Sequence, residues 1–378
     1  MRYFMTLMER FAISATLFGR VKTLLIVGMI TFIGLLLWSV RDEPLPENQY
    51  DPTSLKSIEV VAAGVPKYLG ETRNYPRIFR ELRDGGFTAY MPFSQFQELP
   101  EVKSLSSDID FFLPCDGDAP QWQAMRQYGI RLVVPGHLIY HEYFVDLAGD
   151  RDPLAELVSC VGRENILGVT NYDEPSGPIW DGSLTLDDVR SLYGKIKSVD
   201  PTLPVLMVHA PFFASVPVEG LAELYPTEKE RSKYFGLVEQ TSTFADIVGF
   251  DVYPIPLGIG GGITSPSLQG ESIKNHTDVF RDYLEWIRRE VPNKTYLVTL
   301  QGFDFRMQYE PAYLMSAMKA EDIRDLRAPT REELQDMADV SLQSGARVIV
   351  WWGQTHITAK DAWLWENIRA VTAAITAR

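Results

Sequence analysis

Eight short runs of β-branched and other apolar residues recur after residue 57, each followed by a segment with the hydrophobic periodicity of an amphipathic helix. The predicted strands span residues 58–64, 87–94, 131–139, 165–175, 204–213, 246–254, 295–303 and 347–354. Near-continuous apolar strands separated by helices are typical of parallel strands that are buried on both faces. Eight such units in about 320 residues favour a closed barrel, so the sequence predicts an α/β fold of the (β/α)8, or TIM-barrel, type over residues 57–378.

Helix boundaries support this count of units. Thr185 with Asp188, and Thr330 with Glu333, have the spacing of a capping box, in which two side chains satisfy free N–H groups at a helix start. An open, doubly wound sheet is the alternative, but no Gly-x-Gly-x-x-Gly motif follows the first strand. The closed barrel is therefore the favoured architecture.

The N-terminal region predicts a membrane anchor. Residues 23–40 form a stretch of eighteen residues without a charge, long enough for a helix to cross roughly 30 Å of hydrocarbon. Basic residues dominate residues 1–22 and acidic residues follow residue 41, so the positive-inside rule places residues 1–22 in the cytoplasm. A cleaved signal peptide is the alternative, although no small-x-small cleavage site precedes residue 41. We expect a single-pass protein whose barrel is extracytoplasmic, either periplasmic or extracellular.

Residues 41–56 separate this anchor from the barrel. They carry three prolines and four acidic residues and contain few side chains that a core would bury. Such a composition is typical of a stiff, extended linker. The folded domain is therefore expected to begin near Ser57.

The overall charge and the metal-binding residue types exclude some classes of protein. A formal net charge of -14 argues against a nucleic-acid binder, because phosphate contacts require a basic surface. Cys115 and Cys160 are too far apart for a CxxC motif, and the sequence leaves open whether they form a disulfide. The first strand has no histidine, which argues against a metal-dependent barrel hydrolase. We expect neither a metal nor a cofactor.

Carboxylates stand at the ends of two predicted strands, where barrel enzymes place their active sites. The fourth strand ends with Asn171, Asp173 and Glu174, and the sixth ends with Asp251 and Tyr253. A carboxyl group at the end of a buried strand can acquire the raised pKa that a general acid needs. We predict Glu174 as the acid, with Asp173 or Asp251 as its carboxylate partner, and Asn171 and Tyr253 as substrate-binding residues. The alternatives are a helix cap and ion pairs inside the barrel.

Other polar and aromatic side chains stand at the remaining strand ends: His137, His209, Gln301, Trp351, Trp352 and Gln354. Aromatic faces beside amide and carboxylate groups suit a sugar, whose CH groups stack on a ring while its hydroxyls form hydrogen bonds. We predict all six as substrate-binding residues, with one tryptophan in the barrel mouth and the other packed against a helix. Either histidine can instead be a hydrogen-bonded structural group.

Three segments carry a family likeness. The strand-four ending GVTNYDEP, the strand-seven ending YLVTLQGF and the stretch PTREELQDMADVSLQSGARVIVWWG resemble glycoside hydrolase-like (β/α)8 barrels. In retaining barrels of this kind a Glu ends the fourth strand, often as Asn-Glu-Pro, and here Asp173-Glu174-Pro175 takes that place. The resemblance implies a carbohydrate substrate, a polysaccharide or other glycan, with Glu174 as the general acid.

One residue departs from that pattern. Such enzymes carry a second Glu at the end of strand seven as nucleophile, whereas this sequence has Gln301, which cannot form a glycosyl ester. Asp251 or Asp304 then serves as the base of an inverting reaction, or Asp173 assists a substrate acetamido group while Glu174 donates the proton. The remaining alternative is a non-catalytic glycan-binding barrel in a surface or polysaccharide-export assembly.

Overall fold

The computed structural model describes residues 45–55, 57–92, 112, 115–141, 145–146, 148–212, 227–256, 263, 265–266, 275–312, 314 and 323–378. The expected membrane segment, residues 23–40, and residues 1–22, which are expected in the cytoplasm, lie outside these ranges. Within these ranges, no helix has both the length and the apolar character needed to span a membrane.

Eight parallel strands close into a barrel in which each strand pairs with the next along the chain and the last pairs with the first. The strands are β1 (Glu59–Ala63), β2 (Ala89–Met91), β3 (Arg131–Pro135), β4 (Ile166–Thr170), β5 (Val205–His209), β6 (Ile247–Val252), β7 (Thr295–Gln301) and β8 (Val348–Trp352). The predicted (β/α)8 architecture is confirmed.

The helices of the described ranges surround the barrel or lie over its ends. They are α1 (Lys67–Gly70), α2 (Tyr75–Asp84), α3 (Pro120–Tyr128), α4 (Gly136–Ile139), α5 (Pro153–Val161), α6 (Ser176–Asp181), α7 (Leu186–Val199), α8 (Glu228–Ser242), α9 (Asp278–Glu290), α10 (Phe305–Gln308), α11 (Arg331–Gln343) and α12 (Ala362–Thr376).

Capping boxes fix the start of three long helices. At α7, Thr185 Oγ1 accepts a hydrogen bond from the Asp188 N–H at 3.1 Å, and the Asp188 carboxylate accepts one from the Thr185 N–H at 2.9 Å. The same reciprocal arrangement opens α11 at Thr330, as predicted, and α8 at Thr227, which the sequence analysis did not single out. Each box satisfies backbone donors that have no partner inside the helix.

Apolar side chains of successive strands fill the barrel interior. Because side chains alternate along a strand, every second residue points inward, and the inward set packs into one core. Its buried members are Val61, Ala63, Ala89, Val133, Leu167, Leu206, Ile247, Leu297, Val348 and Val350. The barrel is therefore a packed scaffold rather than a pore.

A polar network closes the base of the barrel, at the amino ends of the strands. Lys197 and Asp246 form a fully buried ion pair with 2.7 Å between Nζ and Oδ2. The other Asp246 oxygen accepts a hydrogen bond from the Asn48 amide at 2.7 Å, and the Tyr50 hydroxyl lies 2.9 Å from Thr295 Oγ1. The segment predicted as a linker thus contacts the barrel at these residues, and the compact unit spans Glu47–Arg378.

A disulfide answers the question that the sequence left open. Cys115, which precedes α3, is bonded to Cys160 in α5, and their α-carbons are 6.0 Å apart. Both cysteines of the chain are therefore oxidised.

The third strand is shorter than predicted. It ends at Pro135, and residues expected in the strand form the short helix α4 instead. At this point Gly136 lies so close to the Thr170 carbonyl that a β-carbon would collide with it, and its N–H donates to Thr170 Oγ1 at 3.2 Å. The chain therefore turns over the end of β4, which places His137 at the barrel mouth.

Candidate active site

A cavity of about 230 Å³ opens at the carboxyl ends of the strands. Its floor is formed by apolar side chains of the barrel core, among them Val61, Leu206 and Leu297. Polar and aromatic side chains form its upper part: His137, Thr170, Tyr172, Asp173, Glu174, Asp251, Tyr253, Thr299, Gln308, Tyr309 and Trp352. Three carboxyl groups thus share one concave site.

Asp251 and Glu174 form a hydrogen-bonded carboxyl pair in this cavity. Asp251, on β6, is 6% exposed, and burial raises its pKa well above the usual value. The neighbouring charges of Glu174 and then Asp173 raise the pKa of Asp251 further, while a hydrogen bond from the Tyr253 hydroxyl lowers it. Burial and the adjacent carboxyl groups therefore favour the protonated form of Asp251, which donates its hydrogen bond to Glu174, since two adjacent carboxylates cannot both ionise cheaply.

Glu174 has a strained backbone. Its φ of 45° lies in the left-handed region, which a residue with a β-carbon seldom adopts. A hydrogen bond of 3.1 Å from its N–H to the Val208 carbonyl of β5 holds this conformation. Strain of this kind costs about 1–3 kcal/mol and is concentrated at functional sites. The half-buried Glu174 lines the cavity in this strained conformation.

Asp173 is open to solvent within the cleft, yet the surrounding protein reduces its hydration. This desolvation, together with the charge of Glu174, raises the pKa of Asp173 to about 7. Asp173 therefore changes its charge near neutral pH, which is the range in which a catalytic base or acid is effective.

Aromatic rings surround the carboxyl groups at the cavity mouth. Tyr253 packs edge-on against Phe303, with 5.0 Å between ring centroids, and the rings of His137 and Tyr172 stack at 6.3 Å. Trp352 is half-buried and lines the cavity, whereas the neighbouring Trp351 is fully buried outside the lining. Successive residues of a strand point to opposite faces, which explains the difference between the two tryptophans.

His137 is held as a neutral side chain. Burial lowers the pKa of His137, and one ring nitrogen donates a hydrogen bond to the Asn171 backbone carbonyl. Its Nδ1 atom is buried without a partner within the described ranges. The ring therefore presents an acceptor to the cavity it lines.

Four lining side chains carry buried polar atoms that have no hydrogen-bond partner in the described part of the chain: His137 Nδ1, Asp251 Oδ1, Thr299 Oγ1 and Gln308 Oε1. An unpaired buried polar atom costs about 1–3 kcal/mol. Native proteins seldom leave such atoms unpaired, so four in one cavity indicate a site that a polar ligand or water fills.

Asn171 does not take the predicted substrate-binding position. It is fully buried outside the cavity lining. Its Nδ2 donates to the Val189 and Phe244 carbonyls at 3.2 and 3.1 Å, and its Oδ1 accepts from the Tyr172 N–H at 2.8 Å. Both polar atoms of the amide are therefore bonded to backbone groups. Asn171 supports the end of β4 and is not available to a sugar.

His209 is likewise a structural group in this fold, as the sequence allowed. Its Nε2 lies 2.9 Å from Ser242 Oγ and its Nδ1 lies 3.4 Å from Ser176 Oγ. Complete burial lowers the pKa of His209 to about 3, so the ring is neutral. The side chain lies outside the cavity lining and makes no contact that a substrate could replace.

Gln301 occupies a buried position at the end of β7 and does not line the cavity. Its Oε1 accepts from the Ile255 N–H at 2.9 Å, and its Nε2 donates to the Ile255 and Phe303 carbonyls at 2.8 and 3.1 Å. The amide therefore joins the loop after β6 to the end of β7. The residue at the expected nucleophile position has a structural role here.

Two further candidates also lie outside the cavity lining. Gln354 is fully buried, and neither amide atom has a partner within the described ranges. Asp304 caps α10 and binds Arg306, with 2.6 Å between carboxylate and guanidinium, which leaves it unsuited to act as a base.

Several lining residues were missed by the sequence analysis: Thr170, Tyr172, Thr299, Gln308 and Tyr309. Thr299 could have been found by strand alternation, because it lies two residues after Leu297 of the barrel core and therefore on the same face. Gln308 ends the short helix α10 and Tyr309 directly follows it, in a segment whose sequence has no periodic pattern.

Comparisons with known proteins give structural neighbours but no family. No family model matches this sequence, and no curated protein matches it. A β-1,4-mannanase from the sea hare Aplysia kurodai is 14% identical with a TM-score of 0.40, over 89% of this chain and 97% of that one. A class V chitinase from Pseudomonas fluorescens Pf-5 is 12% identical with a TM-score of 0.42, over 83% and 99%.

An exo-β-1,4-mannosidase from Opitutaceae bacterium strain TAV5 is 12% identical with a TM-score of 0.44. The match covers 85% of this chain but only 56% of the mannosidase, so this chain spans little more than half of that protein. These neighbours are glycoside hydrolases. One fold hosts many activities, and at such low similarity the function must be argued from the site itself.

Proposed function

We propose that this protein hydrolyses glycosidic bonds of an extracytoplasmic polysaccharide or glycan, with Glu174 as the general acid. The observation that carries the proposal is the hydrogen-bonded Glu174–Asp251 pair, which lies with Asp173 in one cavity among aromatic rings. A retained proton at neutral pH is what the departure of a sugar leaving group requires.

Glu174 and Asp251 have different roles in this proposal because they differ in exposure. Both residues line the cavity, but Glu174 is half-buried whereas Asp251 is almost fully buried, so Glu174 passes the proton of the hydrogen bond between them to the glycosidic oxygen. As the bond from the anomeric carbon to that oxygen breaks, a water molecule attacks the anomeric carbon and gives one proton to Asp173. The products are two sugar hydroxyl groups, and the proton on Asp173 returns through solvent to the pair.

The contact between Glu174 and Asp251 favours Asp173 as the base. An inverting reaction needs about 6.5–9.5 Å between the acid and the base, so that a water molecule fits between them. Two directly hydrogen-bonded carboxyls leave no such space, and Asp304 is bound to Arg306. A route in which Asp173 assists a substrate acetamido group uses the same residues, and it differs by requiring an N-acetylated glycan.

The experiment compares the full-length chain with its Glu174→Gln variant on a panel of polysaccharides and oligosaccharides. We expect the wild type to release new reducing ends and the variant to lose about 100-fold or more of the rate, with its affinity retained. Glu164→Gln is the matched control, because Glu164 is exposed in the turn before β4. Full activity in the Glu174→Gln variant would exclude the acid role.

A non-catalytic glycan-binding barrel is the second candidate. The structural role of Gln301 favours it, since the nucleophile of the related mechanism is missing and its position is committed to the loop after β6. Glycan binding by the wild type, with no cleavage of any member of the panel, would select this function over hydrolysis.

We also propose that residues 23–40 anchor the protein in a membrane with the barrel outside the cytoplasm. The Cys115–Cys160 disulfide supports this placement, because disulfides persist mainly in oxidising compartments. Protease added to spheroplasts, in which no outer membrane shields the periplasm, should degrade a C-terminal epitope tag, and protection of the tag there would contradict the proposal.

A further inference from the structure

The cavity lining combines three carboxyl groups with no described positive charge. Asp173, Glu174 and Asp251 line it, and no lysine or arginine of the described ranges does. His137 contributes no charge at neutral pH, because burial lowers its pKa. A ligand that carries a carboxylate or phosphate would meet repulsion here, whereas a cation would be attracted.

Most unpartnered polar atoms of the lining can accept hydrogen bonds, so a ligand with donor groups would pair with them. His137 Nδ1 and Gln308 Oε1 are acceptors, and Asp251 Oδ1 and Thr299 Oγ1 can act as acceptors. Asp251 and Thr299 are 6% and 3% exposed and line the cavity, so a ligand in the cavity can pair with their buried oxygen atoms. A protonated amine supplies three N–H donors and no acceptor, which matches this set better than a hydroxyl does.

The cation that fits is organic rather than a metal ion. Within the described ranges, no group of three or more His, Cys, Asp or Glu residues is arranged to hold a metal. The acceptors and carboxyls are instead distributed around a cavity with aromatic side chains, Tyr172, Tyr309 and Trp352, and aromatic faces attract ammonium groups. A sugar ring with an amino substituent combines a flat apolar face with such a cation.

We propose that the site selects a sugar with a free amino group, a deacetylated hexosamine, over neutral sugars and over uronic acids. The inference rests on the proposed function in that a glycan occupies this cavity, and it adds the substrate class. It also argues against the acetamido-assisted route, because a free amine cannot provide the carbonyl oxygen that attacks in that mechanism.

The experiment measures binding to the full-length chain at neutral pH, by calorimetry, for matched sugars that differ in one group. The first series is glucosamine, N-acetylglucosamine, glucose and glucuronate, and the second is galactosamine, galactose and galacturonate. We expect the amino sugar to bind about tenfold or more tightly than its neutral counterpart in at least one series, with the uronate weakest. The preference should shrink as salt is raised, because salt screens charge interactions.

Two variants test whether the preference for an amino sugar comes from the acidic cavity lining or from the net negative charge of the whole protein. Asp173→Asn should reduce the preference for the amino sugar several-fold, while Asp187→Asn, an exposed acid in the first turn of α7, should leave it unchanged. The residues outside the described ranges include Lys103, Lys274 and Lys319. Tightest binding of a uronate would overturn the inference, and Lys→Ala variants at these three positions would then test whether one of them binds the uronate.

The outcomes distinguish this inference from the proposed hydrolysis. Equal binding of the amino sugar and its neutral counterpart in both series, with cleavage of a neutral glycan, would overturn the inference and leave hydrolysis standing. Tight binding of the amino sugar, with no cleavage of any deacetylated glycan, would support the inference and overturn hydrolysis. Absence of binding by every sugar would overturn both.

Discussion

Two unfavourable features coincide at the residues on which the proposed chemistry depends. Glu174 has a left-handed backbone, and Asp251 keeps a carboxyl group in a buried position beside it. Neither feature stabilises the fold, and each persists because the surrounding barrel is stable enough to hold it. Their coincidence at the cavity is a physical reason to assign function there rather than at Asn171 or His209, whose polar atoms are paired.

Asp173 provides a test of this trade between stability and function. Because its pKa is raised to about 7 in the fold, against about 3.9 in an unfolded chain, the folded state binds the additional proton between these values. The contribution of this carboxyl to stability is therefore fully present below pH 4 and is lost as pH rises through 7. We expect Asp173→Asn to be more stable than wild type at pH 8 and to lose this advantage towards pH 4.

Urea denaturation of both proteins at pH 4, 6 and 8 gives the free energies of unfolding for this comparison. Because Asp173 is open to solvent in the cleft, we expect a modest difference, on the order of 1 kcal/mol at pH 8. A difference that stays constant over this pH range would show that the carboxyl titrates at the same pH in the folded and unfolded chain.

The sequence could predict the carboxyls of the site but not the direction of every side chain. Asp173, Glu174 and Asp251 follow or end buried strands, and barrel geometry brings such residues to one mouth. Asn171 and Gln301 satisfy the same rule, yet both turn to backbone groups of loops that are distant along the chain. Hydrogen bonds of this kind depend on the tertiary structure, so strand position alone could not reveal them.

At the scale of elements, the end of β7 sets the shape of the loop after β6. Gln301 bonds both the N–H and the carbonyl of Ile255, three residues after the end of β6 at Val252. Tyr253, which donates to Asp251, lies within that connection. Gln301 therefore fixes the loop that carries the Tyr253 hydroxyl and, through it, one hydrogen bond of the carboxyl pair.

Gln301→Glu tests whether this position serves structure or catalysis. The substitution introduces the nucleophile residue of the retaining barrels that the sequence resembles, but its new oxygen would face the carbonyls of Ile255 and Phe303, which it cannot bond as a carboxylate. We expect a loss of about 3 kcal/mol or more in the free energy of unfolding and no gain in glycan cleavage. Thermal denaturation and the reducing-end assay measure the two effects.

Gln123→Glu is the control for this prediction, because Gln123 is exposed in α3. A change of the same residue type there should alter stability by less than about 0.5 kcal/mol. If Gln301→Glu were as stable as this control and more active than wild type, the position would be catalytic after all.

Element count was predictable from the sequence, and element boundaries were less so. The alternation of apolar strands and amphipathic helices gave all eight units, and Thr185 and Thr330 marked two helix starts. The predicted third strand extended into what is α4, because the contact of Gly136 with the Thr170 carbonyl joins segments 34 residues apart. A local pattern carries no information on such an approach.

On the scale of the whole molecule, the two ends of the barrel differ in how completely their polar groups are paired. The base holds the buried Lys197–Asp246 pair and the contacts of Asn48 and Tyr50, all of them satisfied. The mouth holds the strained Glu174 and the unpaired acceptors. A stable base and a less satisfied mouth are what a barrel enzyme requires, since changes at one end then leave the other intact.

The disulfide adds a cross-link outside the barrel sheet. It closes a loop of 45 residues between the segment before α3 and α5, which includes β3 and α4 with His137. For a loop of this length the chain-entropy model gives about 4 kcal/mol of stabilisation, through the restricted unfolded state. We expect the Cys115→Ala, Cys160→Ala double variant to unfold at a lower urea concentration by a corresponding amount.

A reductant distinguishes the effect of the cross-link on stability from the effect of the packing of the two side chains. Dithiothreitol should lower the urea midpoint of the wild type towards that of the double variant and leave the double variant unchanged. Because the cross-link acts on the unfolded chain rather than on the cavity, the folded double variant should keep the sugar preference of the wild type. Two free thiols in the native protein, detected by alkylation and mass spectrometry, would contradict the disulfide and remove its support for an oxidising compartment.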